Sequence, residues 1–380
     1  MSIFVRKAVF DINYVPPKLP HREREVQQLT VLLSDVFRGI RPANLLILGE
    51  FGTGKTVVTR KVIDETEKAA RERNLTVKGL YVNCATHDTR MKVVREALSL
   101  LGVEYKPGYA TDHYLKLFNA TCQNSAFTIM ILDEADKLLM KKGGDGAELL
   151  YFLSRSTPNV TIILLTNKLS MPNFIECDLD SRTRDTLRPR IVEFPDYNRE
   201  ELLTILENRA EEGLRSTAYT SDALARIAEI SYLKGLRARG LIDITRRAGE
   251  LTEEADCTHI DAETIEEATE GYEEQAIMRI ISALSPTRRL ILYRLQTRDR
   301  STGTDSLHVS VQKEMSTKRV RYSKWNLYKD LHQLMDLGIV KKESRNGRWG
   351  KVGYEDYWQI NPPLREITEK LASPTLHLSK

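Results

Sequence analysis

Asn44-Leu-Leu-Ile-Leu-Gly-Glu-Phe-Gly-Thr-Gly-Lys-Thr56 decides the fold. Four consecutive apolar residues, Leu45 to Leu48, predict a strand buried on both faces. Behind it, Gly49-x4-Gly54-Lys55-Thr56 fits the phosphate-binding loop that joins a strand to a helix. Gly49, Gly52 and Gly54 let the backbone bend so that successive N–H groups face a phosphate, which also meets the positive end of the helix starting near Lys55. The candidate cradle is Gly49, Gly52, Thr53, Gly54, Lys55, Thr56 and Val57, with Lys55 reaching the β/γ-phosphates and Thr56 ligating magnesium. A glycine-rich turn could match by chance. The strand before it, the helical pattern Val57, Val58, Val62, Ile63 after it and a second motif downstream count against that.

The second motif is Thr128-Ile-Met-Ile-Leu-Asp-Glu-Ala-Asp136, a buried strand delivering two carboxylates at its carboxyl end. Ligands of open parallel sheets bind at that end, so Asp133 is placed to hold magnesium and Glu134 to polarise an attacking water. Val160 to Asn167 repeats the plan and ends in Thr166 and Asn167, polar groups suited to orienting a water near the γ-phosphate. Leu179 to Arg190 is dense in arginine; Arg182 either stabilises phosphoryl charge, in cis or across a subunit boundary, or is a solvated surface group.

The 380 residues allow two or three domains. No stretch approaches the ~18 apolar residues of a membrane span, and Met1 to Asp11 lacks the apolar run of a signal peptide. A cytoplasmic, nucleoid-associated protein with no membrane partner is expected. Cys84, Cys122, Cys177 and Cys257 lie far apart, which suggests buried free thiols rather than disulfides or zinc. From Ser285 onward there are 19 Lys+Arg against 10 Asp+Glu, a charge of +9; with +4 overall, the first 284 residues carry −5. Such a split suggests that the C-terminal part meets a polyanion.

Val15 to Glu25 is a proline-stiffened arm ahead of a helix through Val26, Leu29, Leu32, Leu33 and Val36, and it either lies against a base or simply packs. Gly79 to Cys84 predicts a short strand, and Lys106 to His113 a turn before a helix from Tyr114 to Cys122. From Tyr197 to about Ala283 the apolar period is purely helical, with Arg237, Arg239, Arg246 and Arg247 along a third helix. Ser285-Pro286 marks a boundary. After it come a helix at Leu290 to Leu295, a polar stretch from Asp299 to Asp305, a second helix around Val311 to Met315, and a helix capped by Ser323. The apolar stripe of that last helix is Leu327, Leu331, Leu334 and Met335, and its opposite face shows Lys324, Trp325, Asn326, Lys329 and Gln333. Strands at Gly338 to Glu343 and Tyr354 to Ile360 flank a basic tip with Arg345, Arg348, Trp349 and Lys351. Three helices and a basic hairpin make a winged helix-turn-helix: in that arrangement the third helix enters the major groove, where Asn326 and Lys329 could touch bases or phosphates, and the wing lies beside an adjacent groove. Winged helices also bind proteins, but the +9 charge and the Gly-Arg-Trp-Gly-Lys tip favour DNA.

Taken together, P-loop, Asp-Glu strand, Asn-ended strand, arginine-rich segment, helical part and winged helix resemble the archaeal replication initiators of the AAA+ class, relatives of the eukaryotic origin recognition complex and the cell-division-control loading ATPase. The resemblance runs from Leu19-Pro-His-Arg-Glu23 to the wing. It implies an α/β fold: an AAA+ P-loop parallel sheet with a helical lid, followed by a winged helix-turn-helix domain, divided as 1–196, 197–284 and 285–380. It implies Lys55 and Thr56 as Walker A, Asp133 and Glu134 as Walker B, Asn167 as sensor 1, and Leu19, His21 and Arg22 at the adenine site. The family's Leu-Asp-Pro-Arg falls on Leu179-Asp180-Ser181-Arg182, which makes Arg182 the arginine candidate although serine replaces proline. The lid motif Gly-Asp-Ala-Arg falls on Leu236-Arg237-Ala238-Arg239, with Arg239 as sensor 2 and the Gly-Asp pair lost. A DNA-touching insertion maps to Lys106 through Lys116, including Tyr109. ATP or ADP with Mg2+ is the implied cofactor, and weak hydrolysis resets a slow switch. The implied partners are double-stranded origin DNA, paralogous initiators and the replicative helicase, the minichromosome maintenance complex. A transcription regulator with an ATPase domain, a clamp-loader-like motor and a nonenzymatic binding module are the alternatives.

Overall fold

The computed structural model describes residues 2–11, 14–106, 108–141, 143–297, 301–317, 320–337, 339–346 and 354–361. The chain divides into two compact units, Met1–Ile265 and Glu266–Lys380.

In the first unit, α1 (Glu23–Leu33) precedes β1 (Leu45–Leu48), α2 (Lys55–Glu72), β2 (Val77–Asn83), α3 (Arg90–Leu100), α4 (Thr111–Cys122) and β3 (Phe127–Asp133). The short α5 (Asp136–Leu139), α6 (Gly146–Arg155), β4 (Val160–Thr166), the single turn α7 (Met171–Asn173), α8 (Ser181–Leu187) and β5 (Arg190–Glu193) follow. The five strands form one sheet in the order β2-β3-β4-β1-β5, every neighbouring pair parallel. Alternate strand residues feed two cores. Leu46, Leu48, Met130, Leu132, Ile162 and Leu164 face α3, α4 and α6. Leu45, Ile47, Ile129, Ile131, Ile163 and Leu165 face α1 and α2. Both faces are covered, which is why these strands read as unbroken apolar runs. Register aligns Leu48 with Thr166 and Asn83 with Asp133, so the carboxyl ends of four strands meet at one edge.

Three lid helices follow: α9 (Arg199–Gly213), α10 (Ser221–Leu233) and α11 (Arg237–Glu254). A capping box starts α9, the Asn198 side chain accepting from the Glu201 N–H at 2.8 Å and the Glu201 carboxylate accepting from the Asn198 N–H at 2.9 Å. The N-terminal segment packs on this lid. Phe4 forms an antiparallel bridge with Leu214, and Ile3, Phe4, Val9 and Phe10 are buried. Two glycines make room for it: a Cβ on Gly213 would lie 2.4 Å from Phe10 and one on Gly249 2.5 Å from Phe4. Arg209 donates to the Val9 carbonyl at 2.6 Å, and Lys7 pairs with Glu250 at 3.0 Å.

The second unit begins within α12 (Ala262–Ala283) and continues through α13 (Pro286–Gln296), β6 (Thr302–Gly303), α14 (Thr304–Thr317), α15 (Lys324–Asp336), β7 (Val340–Asn346) and β8 (Tyr354–Ile360). Its sheet runs β6-β8-β7, antiparallel throughout, the element order of a winged helix-turn-helix. Leu327, Leu331 and Leu334 of α15 pack with Ile291, Leu307, Val311 and a fully buried Trp358. The Trp358 indole donates to the Thr304 hydroxyl at 3.0 Å, so its one polar atom is satisfied inside the core.

Several local expectations shift. Helix α4 starts three residues before Tyr114, and α14 occupies far more than Val311 to Met315, because the polar openings Thr111-Asp112-His113 and Thr304-Asp305-Ser306 carry no apolar signal. Thr302 and Gly303, inside a stretch read as purely polar, form an edge strand on β8. Cys84 and Cys122 are buried but Cys177 and Cys257 are exposed, contrary to the expectation for all four. Among the described residues no helix is long and apolar enough to cross a membrane.

Candidate functional site

The glycines of the loop after β1 all hold positive φ: +154° at Gly49, +76° at Gly52 and +89° at Gly54. At Gly49 the requirement is also steric, since a Cβ would sit 2.6 Å from the Phe194 carbonyl oxygen. Gly54 ends the loop as the N-cap of α2, so Lys55, Thr56 and Val57 form a first helical turn whose N–H groups have no partner within the helix. Lys55 Nζ donates to the Gly49 and Glu50 carbonyls, both at 2.7 Å, and burial draws its pKa down against the opposing pull of Asp133 and Glu50. Thr53 is fully buried, its hydroxyl donating to the Glu50 carbonyl at 2.8 Å.

Across this turn, Thr56 Oγ1 donates to Asp133 Oδ2 at 2.8 Å, linking motifs 77 residues apart. The Tyr81 hydroxyl donates to the same oxygen at 2.9 Å, and the Glu134 N–H to Oδ1 at 2.9 Å. Glu134 holds φ +51°, a left-handed conformation that costs an L residue about 1–2 kcal/mol. Burial, reinforced by the Asp133 charge, raises the Glu134 carboxyl pKa, while Lys137 and Arg239 oppose the rise.

Lys55, Thr56, Tyr81, Asp133 and Glu134 line one cavity of ≈ 630 Å³ that also takes in Leu19, Gly52, Gly54, Val57, Thr166 and Asn167 from the sheet side and Arg239 from the lid, while Gly49 and Thr53 of the expected cradle lie behind its lining. A buried cation, an open helix start and a hydroxyl–carboxylate pair in one cavity are the donor set that a triphosphate with magnesium requires. Of the remaining expected residues, Arg22 turns away from the cavity lining. Its guanidinium donates to the Thr53 carbonyl at 2.9 Å and the Pro195 carbonyl at 2.6 Å while lying 3.7 Å from the Tyr197 ring centroid, and it thereby props the loop from behind. His21, next to it, has φ +61° and likewise does not line the cavity. Arg182 is exposed on α8, outside the cavity. Of the lid arginines, Arg237 pairs with Asp196 through two bonds of 2.8 and 3.1 Å, Arg246 with Glu250, and Arg247 with Glu250 and Glu254, leaving Arg239 to the cavity.

Sequence reasoning missed Tyr81, Arg60, Tyr14, Asn208 and Arg209, all of which line the same cavity. Tyr81 carried a signal: it lies two residues before Asn83, on the same face of a strand whose register puts Asn83 beside Asp133. Tyr14 and Arg209 carried none, because only the docking of the N-terminal segment on α9 brings them together, with the guanidinium 4.9 Å from the ring.

In the second unit, Lys324, Trp325 and Lys329 stand exposed on α15, Trp325 at 70% exposure with Lys329 Nζ 5.7 Å from its ring centroid. Asn326 is half-buried, its N–H held by the Ser323 cap at 3.2 Å. Gln333, expected on the same open face, instead accepts from Arg288, which also pairs with Asp330 at 3.0 Å. Arg345 falls in β7 without a described side chain, and Arg348, Trp349 and Lys351 lie outside the described residues. In the first unit Lys106 is exposed, and Tyr109 stacks on His113 at 4.3 Å.

Residues 41–171 match the AAA domain family, and residues 203–270 match the Cdc6 AAA+ ATPase-type lid domain. The ORC1-type DNA replication protein of Thermococcus kodakarensis is 31% identical over 303 residues, 77% of this chain and 71% of its own length. ORC1-type DNA replication protein 1 of Methanothermobacter thermautotrophicus is 27% identical over 359 residues, 92% and 91% of the two chains. Among solved structures, the Aeropyrum pernix ORC1 protein in complex with DNA superposes with a TM-score of 0.83 at 27% identity, covering 98% of this chain and 97% of that one. With its P-loop sheet and Cdc6-type lid, this chain belongs to the ORC1-type DNA replication proteins, AAA+ ATPases of replication initiation.

Proposed function

We propose that the chain is an ATP-dependent DNA replication initiator that binds origin duplex and acts as a slow ATP/ADP switch. The carrying observation is the joining of Lys55, the Thr56–Asp133 hydrogen bond, Glu134, Asn167 and lid residue Arg239 around one cavity. It occurs in a chain alike over nearly its whole length to an ORC1 protein solved with DNA.

In this reading the work divides among sequence segments 1–196, 197–284 and 285–380. Lys55 and the first turn of α2 grip the phosphates. Thr56 and Asp133 hold magnesium, which when bound neutralises charge on the phosphoryl oxygens. Glu134 polarises the attacking water and Asn167 orients it. Arg239 adds positive charge from the lid, so lid position depends on the phosphates present, and Arg182 does the same for a neighbouring paralogue. Leu19 and its neighbours Lys18 and Pro20, which line the cavity, cover the base, while Arg22 supports the loop from behind. Lys324, Trp325, Asn326 and Lys329 of α15, with Arg345, Arg348, Trp349 and Lys351 of the wing, contact origin DNA, and Lys106 and Tyr109 add a second grip. In the same reading that assembly recruits the replicative helicase, and the protein works in the cytoplasm on the nucleoid.

The test has two parts. Denatured, purified protein should release ADP or ATP, and protein that binds neither at millimolar concentration refutes the switch. On a candidate origin, Lys329→Ala should weaken every duplex and lower the salt slope by about 0.9 per lost phosphate contact, while Asn326→Ala should change preference between sequences. Equal losses on all sequences for both variants refute that division.

A further inference from the structure

The Asp133 carboxylate has roughly four lone-pair directions, and three donors already point at it. Thr56 and Tyr81 share Oδ2, and the Glu134 N–H takes Oδ1. Thr56 belongs to α2 and Glu134 to the turn after β3, both parts of the recognised motifs. Tyr81 comes from neither. It sits on β2, beside Ile131 in register, and reaches along the carboxyl edge of the sheet to the acid. Its ring is itself held, because the Arg60 guanidinium, one helical turn beyond Thr56, lies 5.0 Å from the ring centroid. Tyr81 and Arg60 both line the cavity with Thr56, Asp133 and Glu134.

The geometry points to Tyr81, braced by Arg60, as a positioning residue for magnesium loading: its hydroxyl fixes the Asp133 carboxylate so that one free direction on Oδ1 faces the cavity. This deepens the nucleotide reading above and rests on it. Without Tyr81, the Thr56 hydroxyl and the Glu134 N–H would hold the carboxylate by one donor on each oxygen, leaving it freer to swing about its Cβ–Cγ bond. Two donors on one oxygen remove that freedom before the ion arrives, so less ordering is left for binding to supply. A phenol also suits the task, since it donates without bringing a charge that would repel the ion.

The test separates metal loading from nucleotide grip. Fluorescently labelled ADP is titrated into wild type, Tyr81→Phe and Arg60→Met, first in EDTA and then across a magnesium series at fixed nucleotide. Loss of a hydrogen bond to a charged acceptor predicts that Tyr81→Phe needs about tenfold more magnesium to reach half its metal-dependent tightening. Its affinity for ADP in EDTA should stay within twofold of wild type. Arg60→Met keeps the hydroxyl and removes its brace, so its magnesium midpoint should move the same way by a smaller factor. A Tyr81→Phe midpoint within twofold of wild type overturns the proposal, as does an equal loss with and without magnesium, which would make Tyr81 a packing element of the loop. Wild type that binds no ADP, or binds it without a magnesium effect, fails the nucleotide reading itself and takes the Tyr81 role with it.

Discussion

Gly49→Ala tests whether the phosphate loop is as tightly built as its geometry states. The residue holds φ +154°, a conformation close to glycine-only, and imposing it on alanine costs roughly 1–3 kcal/mol. The new methyl would also lie 2.6 Å from the Phe194 carbonyl oxygen and 3.0 Å from its Cβ, so the end of β5 must move. That movement strains the Phe194 N–H bond to the Leu48 carbonyl, now 2.8 Å, worth about 1 kcal/mol. Alanine recovers about 0.4–1 kcal/mol by restricting the unfolded chain. Together these contributions destabilise the variant by about 2 kcal/mol, within a range of roughly 1–4. Gly39→Ala is the internal control: φ is +71° but nothing lies within 4 Å, leaving only left-handed strain less the same entropy gain, about 0.5–1 kcal/mol. Urea unfolding followed by far-UV circular dichroism measures both. Because Arg22 grips the Pro195 and Thr53 carbonyls, the shift at β5 also reaches the loop, and ADP affinity of Gly49→Ala should fall at least about tenfold. Two variants of equal stability, or a Gly49→Ala protein that binds ADP like wild type, would refute the reasoning.

Arg237 combines φ +57° with a partly exposed ion pair to Asp196, so Arg237→Ala should lose up to about 1 kcal/mol and keep the strain, while Arg237→Gly relieves it. Melting curves should place the glycine variant above the alanine variant, and the reverse order would show the strain to be absent. Phe10→Ala empties a fully buried socket over Gly213, and hydrogen exchange should speed up in α9 and α11 before it does in the central strands; uniform exchange changes would argue against a locally docked segment. Burial pushes the Cys84 thiol up to about 12 and the Cys122 thiol up to about 11. The unfolded chain therefore gives up those protons first as pH passes 9, so their contribution is complete below pH 9 and is lost as pH rises toward 11 and 12. Replacing both with alanine should flatten the fall in urea midpoint above pH 9, and exposed Cys177 and Cys257 should be the two thiols that react quickly with a disulfide reagent in the folded protein.

The P-loop and the Asp133 strand were legible because each is a local constraint. Glycines at fixed spacing and an apolar run ending in acids need only their neighbours to be read. Their joining through Thr56 followed from the shared logic of the two motifs. What stayed hidden depends on distant docking. Arg22 was expected at a base but binds the loop carbonyls, a choice made by the position of Tyr197 and Pro195, which no spacing in the arm encodes. Which lid arginine faces the cavity depends on carboxylates at Asp196, Glu250 and Glu254 claiming the others. Gln333 was assigned to an open face by helical period alone, which cannot see that Arg288 on α13 reaches it. The exposure of Cys177 and Cys257 follows from their places at a short irregular helix and just past the end of α11, where a lone apolar residue has no periodic context.

The docking of Ile3 to Phe10 on the lid makes that lid discontinuous along the chain. Arg209 meets Val9 across 200 residues, and Glu253 meets Ile3 across 250. A fragment cut to begin at Arg199 leaves behind four side chains of its own core, and the complementary fragment carries them as an apolar tail with nothing to cover. During synthesis the same residues wait for most of the first unit to emerge before their socket exists, so this closure is a late, high-contact-order event. A bulky fusion ahead of Ser2 would press on the lid, some two hundred positions away in sequence.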